Sequence, residues 1–151
     1  MATPIALPDA KQVAIDLLQA ALGDTALVLG ELPEGEEFNT MLADHGGLVR
    51  VLRIGGVAGL RGWADRSAID QPRFSIDCYA PMKPALGAAT RLALRVRAEW
   101  EMLPGRSTAD GTVTATSEET GPQDRPEEPN TGVRRVGMTL GMSVRPPRST
   151  S

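Results

Sequence analysis

The sequence predicts an α+β domain, a mostly antiparallel sheet of about five strands with two helices packed on one face. Three observations carry that prediction. Val133 to Val144 alternates, with Val136, Met138, Leu140, Met142 and Val144 on one side and Arg135, Gly137, Thr139, Gly141, Ser143 and Arg145 on the other. That period of two belongs to a strand with one face toward a core. Arg73 to Tyr79 repeats the pattern, setting Phe74, Ile76 and Cys78 against Arg73, Ser75, Asp77 and Tyr79. By contrast, Leu86, Ala89, Ala93, Val96, Trp100 and Leu103 step by three or four residues, the repeat of an amphipathic helix.

The remaining elements follow in chain order. A first helical segment occupies 8–22, its regular part running from about Ala10 to Leu22. Asp9 followed by Gln12 resembles a helix cap, Val13, Ala14, Leu17, Leu18, Ala21 and Leu22 share a face, and Gly23 supplies the stop. Thr25 to Gly30 is a short apolar stretch that predicts a strand. Glu31 to Gly47, with Glu31, Glu34, Glu36, Glu37 and Pro33, reads as an exposed excursion. Leu48 to Ile54 is rich in Val, Leu and Ile and predicts the first strand of a hairpin over 48–79. The long loop of that hairpin is Gly55 to Gln71, which holds Gly55, Gly56, Gly59, Gly62 and Trp63.

The second helix belongs to 83–103 and ends at Pro104 and Gly105. Arg97 and Glu101, four apart, are expected to pair on its exposed side. A C-terminal hairpin is expected over 111–146. Gly111 to Thr116 forms its first strand, and Thr120 to Thr131 its loop, because Pro122, Pro126 and Pro129 cannot sustain a regular ladder. Pro146 and Pro147 end the last strand, and 147–151 is a flexible tail. With 151 residues and no internal break or repeat, the whole chain is expected to form one domain.

Charge and composition exclude several functions. The net charge of -3, from 16 basic and 19 acidic residues, is neither that of a polybasic nucleic-acid binder nor that of an acidic tail protein. Cys78 is the single cysteine, which rules out an internal disulfide framework and multi-cysteine zinc modules. The start of the chain lacks the basic, apolar pattern of a secretory signal, and no stretch approaches the roughly 18 apolar residues of a membrane span. Synthesis and folding in a cytoplasm, with no membrane partner, are expected.

No constellation of residues specifies catalysis. The glycines at 55–62 lack the following Lys-Ser or Lys-Thr and the helix start that a phosphate-cradling loop requires. His45, between Asp44 and Gly46, reads as a surface histidine in a loop, and Cys78 as a small apolar side chain on an inward strand face. Asp65, Asp70 and Asp77 match no metal-loop spacing, and Arg91, Arg95 and Arg97 lack the interleaved aromatics of a nucleic-acid surface. No cofactor, metal or catalytic residue is expected. Trp63 stands apart, because a large aromatic among glycines has little local core to join and suits an interface anchor.

Beyond composition, the chain resembles the tail terminator proteins of siphophages, especially those infecting actinobacteria. The resemblance rests on Leu48 to Gly55 followed by the glycine-rich segment, the strand end Asp77-Cys78-Tyr79-Ala80, and the Ala/Arg/Leu helix closing on Leu103-Pro104-Gly105. It rests above all on Gly121-Pro122, Pro129-Asn130-Thr131 and Arg134-Arg135-Val136, with Ser143-Val144-Arg145-Pro146 at the end. Gln123, and Gly137 with Met138, stand where such chains tend to carry an aromatic.

The resemblance implies a structural virion protein, not an enzyme. It implies a homo-oligomeric ring, a hexamer, that caps the head-proximal end of the tail tube and ends tube polymerisation. Its partners would be further copies of itself, the major tail tube protein and the head–tail connector or stopper, with genome DNA passing through the channel unread. Another head–tail junction or tail completion protein is the alternative structural role. A small enzyme built on the hairpin carboxylates, or a DNA-binding module using the arginine-bearing helix, are the alternatives from other classes.

A ring of identical subunits needs two different complementary surfaces on each protomer. Glu31, Glu34, Glu36 and Glu37 mark one acidic segment and Glu118, Glu119, Asp124, Glu127 and Glu128 another, whereas Arg134, Arg135, Arg145 and Arg148 leave the last twenty residues without an acid. Acidic segments meeting basic strands across subunits are therefore expected. Trp63, Asp65, Arg66, Glu127, Glu128, Asn130, Arg134 and Arg135 are the expected contact residues.

Overall fold

The alternating segments become the long strands of one sheet in the computed structural model, which describes residues 7–60, 68–83, 87–125 and 132–147. Helix α1 spans Ala10–Leu22, β1 Leu27–Leu29, helix α2 Gly35–His45, β2 Leu48–Leu60 and β3 Ala68–Pro81. They are followed by helix α3 at Ala88–Glu101, β4 at Ser107–Thr108, β5 at Gly111–Asp124 and β6 at Val133–Arg145. The strands lie in the order β1-β2-β3-β6-β5-β4. β1 pairs with β2 in parallel, and every other pair is antiparallel.

The two helices expected from periodicity are present with the expected ends. The Asp9 carboxylate accepts a hydrogen bond from the Gln12 backbone N–H at 3.1 Å, which satisfies one of the unpaired donors at the start of α1. Gly23, at φ +56°, ends the helix in a conformation open to glycine. Val13, Ala14, Leu17, Leu18 and Leu22 of α1 and Ala89, Leu92, Ala93, Val96 and Trp100 of α3 are buried against Val49, Val51, Phe74, Ile76, Cys78 and the predicted inward residues of β6. Both helices thus cover one face of the sheet. Trp100 anchors α3 there, its ring 6.0 Å from that of Phe74 and its indole N–H donating to the Gly141 carbonyl at 2.9 Å.

The prediction of two helices on one face is corrected by α2. Residues 31–47 are not merely an excursion, because Phe38, Met41 and Leu42 share a helical face that packs with Leu48, Tyr79 and Val133 on the opposite side of the sheet. Glu36 and Glu37 sit in its first turn, where the helix dipole favours negative charge, and Gly46 caps it at φ +76°. His45 accordingly lies in the last helical turn instead of a loop. The same helix explains the single parallel pair, since parallel neighbours require a crossover connection, here the β1–α2–β2 passage.

Both hairpins are longer than the sequence suggests, and among the described residues the strand count rises from about five to six through the short β4. Gly55 and Gly56 belong to β2. A bulge between Arg53 and Gly55 shifts the register, and Gly56, at φ +111°, lies so close to β3 that a Cβ there would fall 2.2 Å from the Gln71 carbonyl oxygen. The glycines therefore permit a bend and a close approach within a strand. Likewise β5 runs through Pro122 to Asp124, with register shifts between Glu118 and Thr120 and between Thr120 and Gln123. Proline is tolerated there because β5 is an edge strand beyond its short pairing with β4.

Candidate assembly interface

The outer face of the sheet, opposite α1 and α3, is assembled row by row across the strands. Nearest α2, Leu48, Tyr79 and Arg135 stand side by side, and the Phe38 ring meets Tyr79 edge-on with centroids 5.6 Å apart. The Arg135 guanidinium lies 5.9 Å from the centre of the Tyr79 ring. In the next row Arg50, Asp77, Gly137 and Gln123 are neighbours.

Asp77 organises that row. Its carboxylate is fully buried and accepts hydrogen bonds from Arg50 at 2.6 Å, Arg125 at 3.0 Å and Arg135 at 3.0 Å. Burial alone would raise its pKa, but the hydrogen bonds and charges of Arg135 and Arg50 outweigh that effect and hold it below the usual carboxylate value. Arg125 also donates to the Ser75 hydroxyl at 2.9 Å, tying the end of β5 across β6 to β3. Gly137 makes room for this arrangement. A Cβ at that position would lie 2.5 Å from both the Arg125 Nη1 and the Asp77 Oδ1.

Three acids of the β5 segment find partners inside the protomer, only one of them in the basic C-terminal segment. Glu118 pairs with Arg97, Glu119 with Arg73, and Asp124 with Arg134. Arg97 therefore reaches β5 and not Glu101, its expected partner on α3. Arg73 and Glu119 are both well exposed, and their mutual hydrogen bonds lower the Glu119 pKa and raise that of Arg73. Asp70, expected in the long hairpin loop, is buried within β3 and receives two hydrogen bonds from Arg53, at 2.6 and 2.7 Å.

Of the expected contact residues, Arg134 and Arg135 lie on β6 in these internal ion pairs. Trp63, Asp65 and Arg66, in the segment joining β2 to β3, and Glu127, Glu128 and Asn130, in the segment joining β5 to β6, lie outside the described residues.

Cys78 is buried in the helix-side core, and desolvation together with the Asp77 charge pushes its thiol pKa up, away from a nucleophilic thiolate. Among the described residues no cluster of His, Cys, Asp or Glu is placed to hold a metal ion. The outer face instead offers a groove of about 480 Å³ open to solvent, lined among others by Val57, Arg73, Ser117, Gly141 and Ser143.

Unpaired strand edges run along both sides of the sheet among the described residues. β1 covers β2 only at Leu48–Arg50, so from Val51 to Leu60 the outer side of β2 has no strand neighbour among the described residues. Along this stretch Leu52, Ile54 and Val57 are exposed. On the far side, β4 and the preceding turn occupy β5 only as far as Val113, so Thr114 to Asp124 have no strand neighbour on that side among the described residues.

The model of a phage tail termination protein family matches residues 6–151. The chain belongs to that family. Its members are structural virion proteins, so the protein is a phage tail protein of the virion and not an enzyme. No curated protein matches the sequence. Among solved structures, a chain from "Virion of native gene transfer agent (GTA) particle" shares the fold with a TM-score of 0.58 at 17% identity, over 89% of this chain and 93% of that one.

Proposed function

We propose that this tail terminator ends growth of the tail tube by seating a homo-oligomeric ring, a hexamer, on its head-proximal end. The opposite side of the ring then receives the head–tail connector or stopper, and DNA passes through the channel without being read. The observation that carries this reading is the family match over nearly the whole chain. The two-sided protomer supports it, because α2 stands on one face of the sheet and α1 with α3 on the other, so tube and head can meet different surfaces. The chain acts as one domain in this reading. Trp63, Asp65, Arg66, Glu127, Glu128, Asn130, Arg134 and Arg135 remain the proposed contacts to neighbouring copies or to the tube.

The decisive experiment removes the protein from an otherwise complete phage. Tails of uncontrolled length that fail to join heads, restored by supplying the protein in trans, are the expected outcome. Tubes of normal length with heads unattached would assign the chain to a later joining step instead. Trp63→Ala separates assembly from folding: a protein that melts as before yet no longer caps tubes supports the anchor role.

A further inference from the structure

The two open sheet edges fit one another across copies. Strand directions alternate along β2, β3, β6 and β5, so β2 and β5 run in opposite directions at the two sides of the same four-strand unit. A neighbour placed beside the first by rotation, without being turned over, brings its β2 alongside β5 in the antiparallel sense. The levels also agree. Ser117 lies in one row with Gly141, Arg73 and Gly55, and Val113 in one row with Val144, Asp70 and Ala58. The open part of β5 that begins at Thr114 therefore stands at the height of the open part of β2.

The side chains distinguish these edges from solvated ones. Exposed strand edges are normally protected by charge, proline or distortion. On β2 the only charge beyond Val51 is Arg53, which is held by Asp70, and exposed Leu52, Ile54 and Val57 surround it. On β5 one register shift falls at Thr114, and the other protecting features lie in the second half, where Glu118, Glu119, Pro122 and two further register shifts are found. Thr114 to Ser117 carry no charge and no proline.

We infer that β2 of one copy pairs with the Thr114–Ser117 segment of β5 in the next, joining their sheets into a continuous, closed ring of strands. This deepens the ring reading and rests on it. The contact is head-to-tail, so it propagates from copy to copy and closes where the rotation between copies completes a turn, whereas pairing of β2 with β2 would stop at a dimer. Val57 and Ala115 stand at the same level and point to the outer face, so they become cross-strand neighbours.

The test uses the full chain carrying Val57→Cys and Ala115→Cys together, and each change alone. Both positions are exposed, and the native Cys78 is buried. Under oxidation the double variant is expected to give a covalent ladder on a non-reducing denaturing gel, up to the ring mass, while each single variant stays monomeric. A parallel variant, Val57→Lys, is expected to lose the ring mass while melting at the wild-type temperature.

A covalent dimer from Val57→Cys alone would overturn the inference in favour of a two-fold contact. A wild-type ring that survives Val57→Lys and gives no ladder would overturn it and leave the ring reading standing. Wild-type protein that stays monomeric even with purified tail tubes would overturn both.

Discussion

The two faces of the central sheet cover the same strands with opposite chemistry. On the helix side, Phe74, Ile76 and Cys78 meet Trp100, Val96 and α1 in a continuous apolar core, where many small dispersion contacts add up and neighbours can adjust. On the outer side, Ser75 and Asp77 of the same strand meet arginines, and cover comes from a few directed hydrogen bonds. Loss on the first face leaves a void, whereas loss of Asp77 on the second leaves three partly buried arginines without their counterion. The first is graded. The second is close to all-or-none.

Trp100→Ala should have the largest effect on the helix side, because it opens a large cavity and strands the Gly141 carbonyl. A loss of about 3–5 kcal/mol in denaturant unfolding is expected. Asp77→Asn should approach it, at about 3 kcal/mol, although it removes no volume, because Arg50, Arg125 and Arg135 lose their shared carboxylate. A change well under 1 kcal/mol would show that water already screens the cluster and would dissolve the contrast between the faces.

Acid should act through the same residue. Its folded pKa is depressed, so its contribution is complete above the unfolded value near ~4 and is lost as pH falls below that through the folded pKa. Thermal unfolding from neutral to acid pH should therefore show a loss of stability below about pH 4 that is smaller in Asp77→Asn.

Gly137→Ala should cost about 1–3 kcal/mol, since the added methyl must displace Arg125 or Asp77. The same exchange in a protein already carrying Asp77→Asn should cost less if the two share one network. Arg73→Ala should have the smallest effect, within the error of a melting curve, because its pair with Glu119 is exposed on both sides.

How much of this was legible in the sequence depended on the range of the interactions. Periodicity located α1, α3, β3 and β6 because one buried face repeats along each, and Asp9 and Gly23 marked ends through local geometry. Helix α2 was hidden behind Pro33 and the neighbouring glycines, although Phe38, Met41 and Leu42 had helical spacing and Gly46 stood at the cap position. Gly55, Gly56 and Pro122 read as breakers, but a bulge and an open edge accommodate them inside strands.

The charge network was not legible. Asp77 occupied an outward position of an alternating strand, and its partners Arg50, Arg125 and Arg135 lie 27, 48 and 58 residues away, so only the folded sheet brings them together. The family, by contrast, could be read from ordered local motifs, since these survive without knowledge of long-range contacts. The expected contact residues in 61–67 and 126–131 fall outside the described part of the protein.

One consequence follows from the placement of the lone sulfur atom. Cys78 sits mid-sheet on β3, between Val49 and Val136, with no exposed surface. An alkylating reagent can reach it only when the helices lift from the sheet or the strands part, so its modification half-time is an intrinsic clock for opening of that core. Run on free protein and again on assembled tails, that clock would report how firmly incorporation clamps each subunit, without any engineered label.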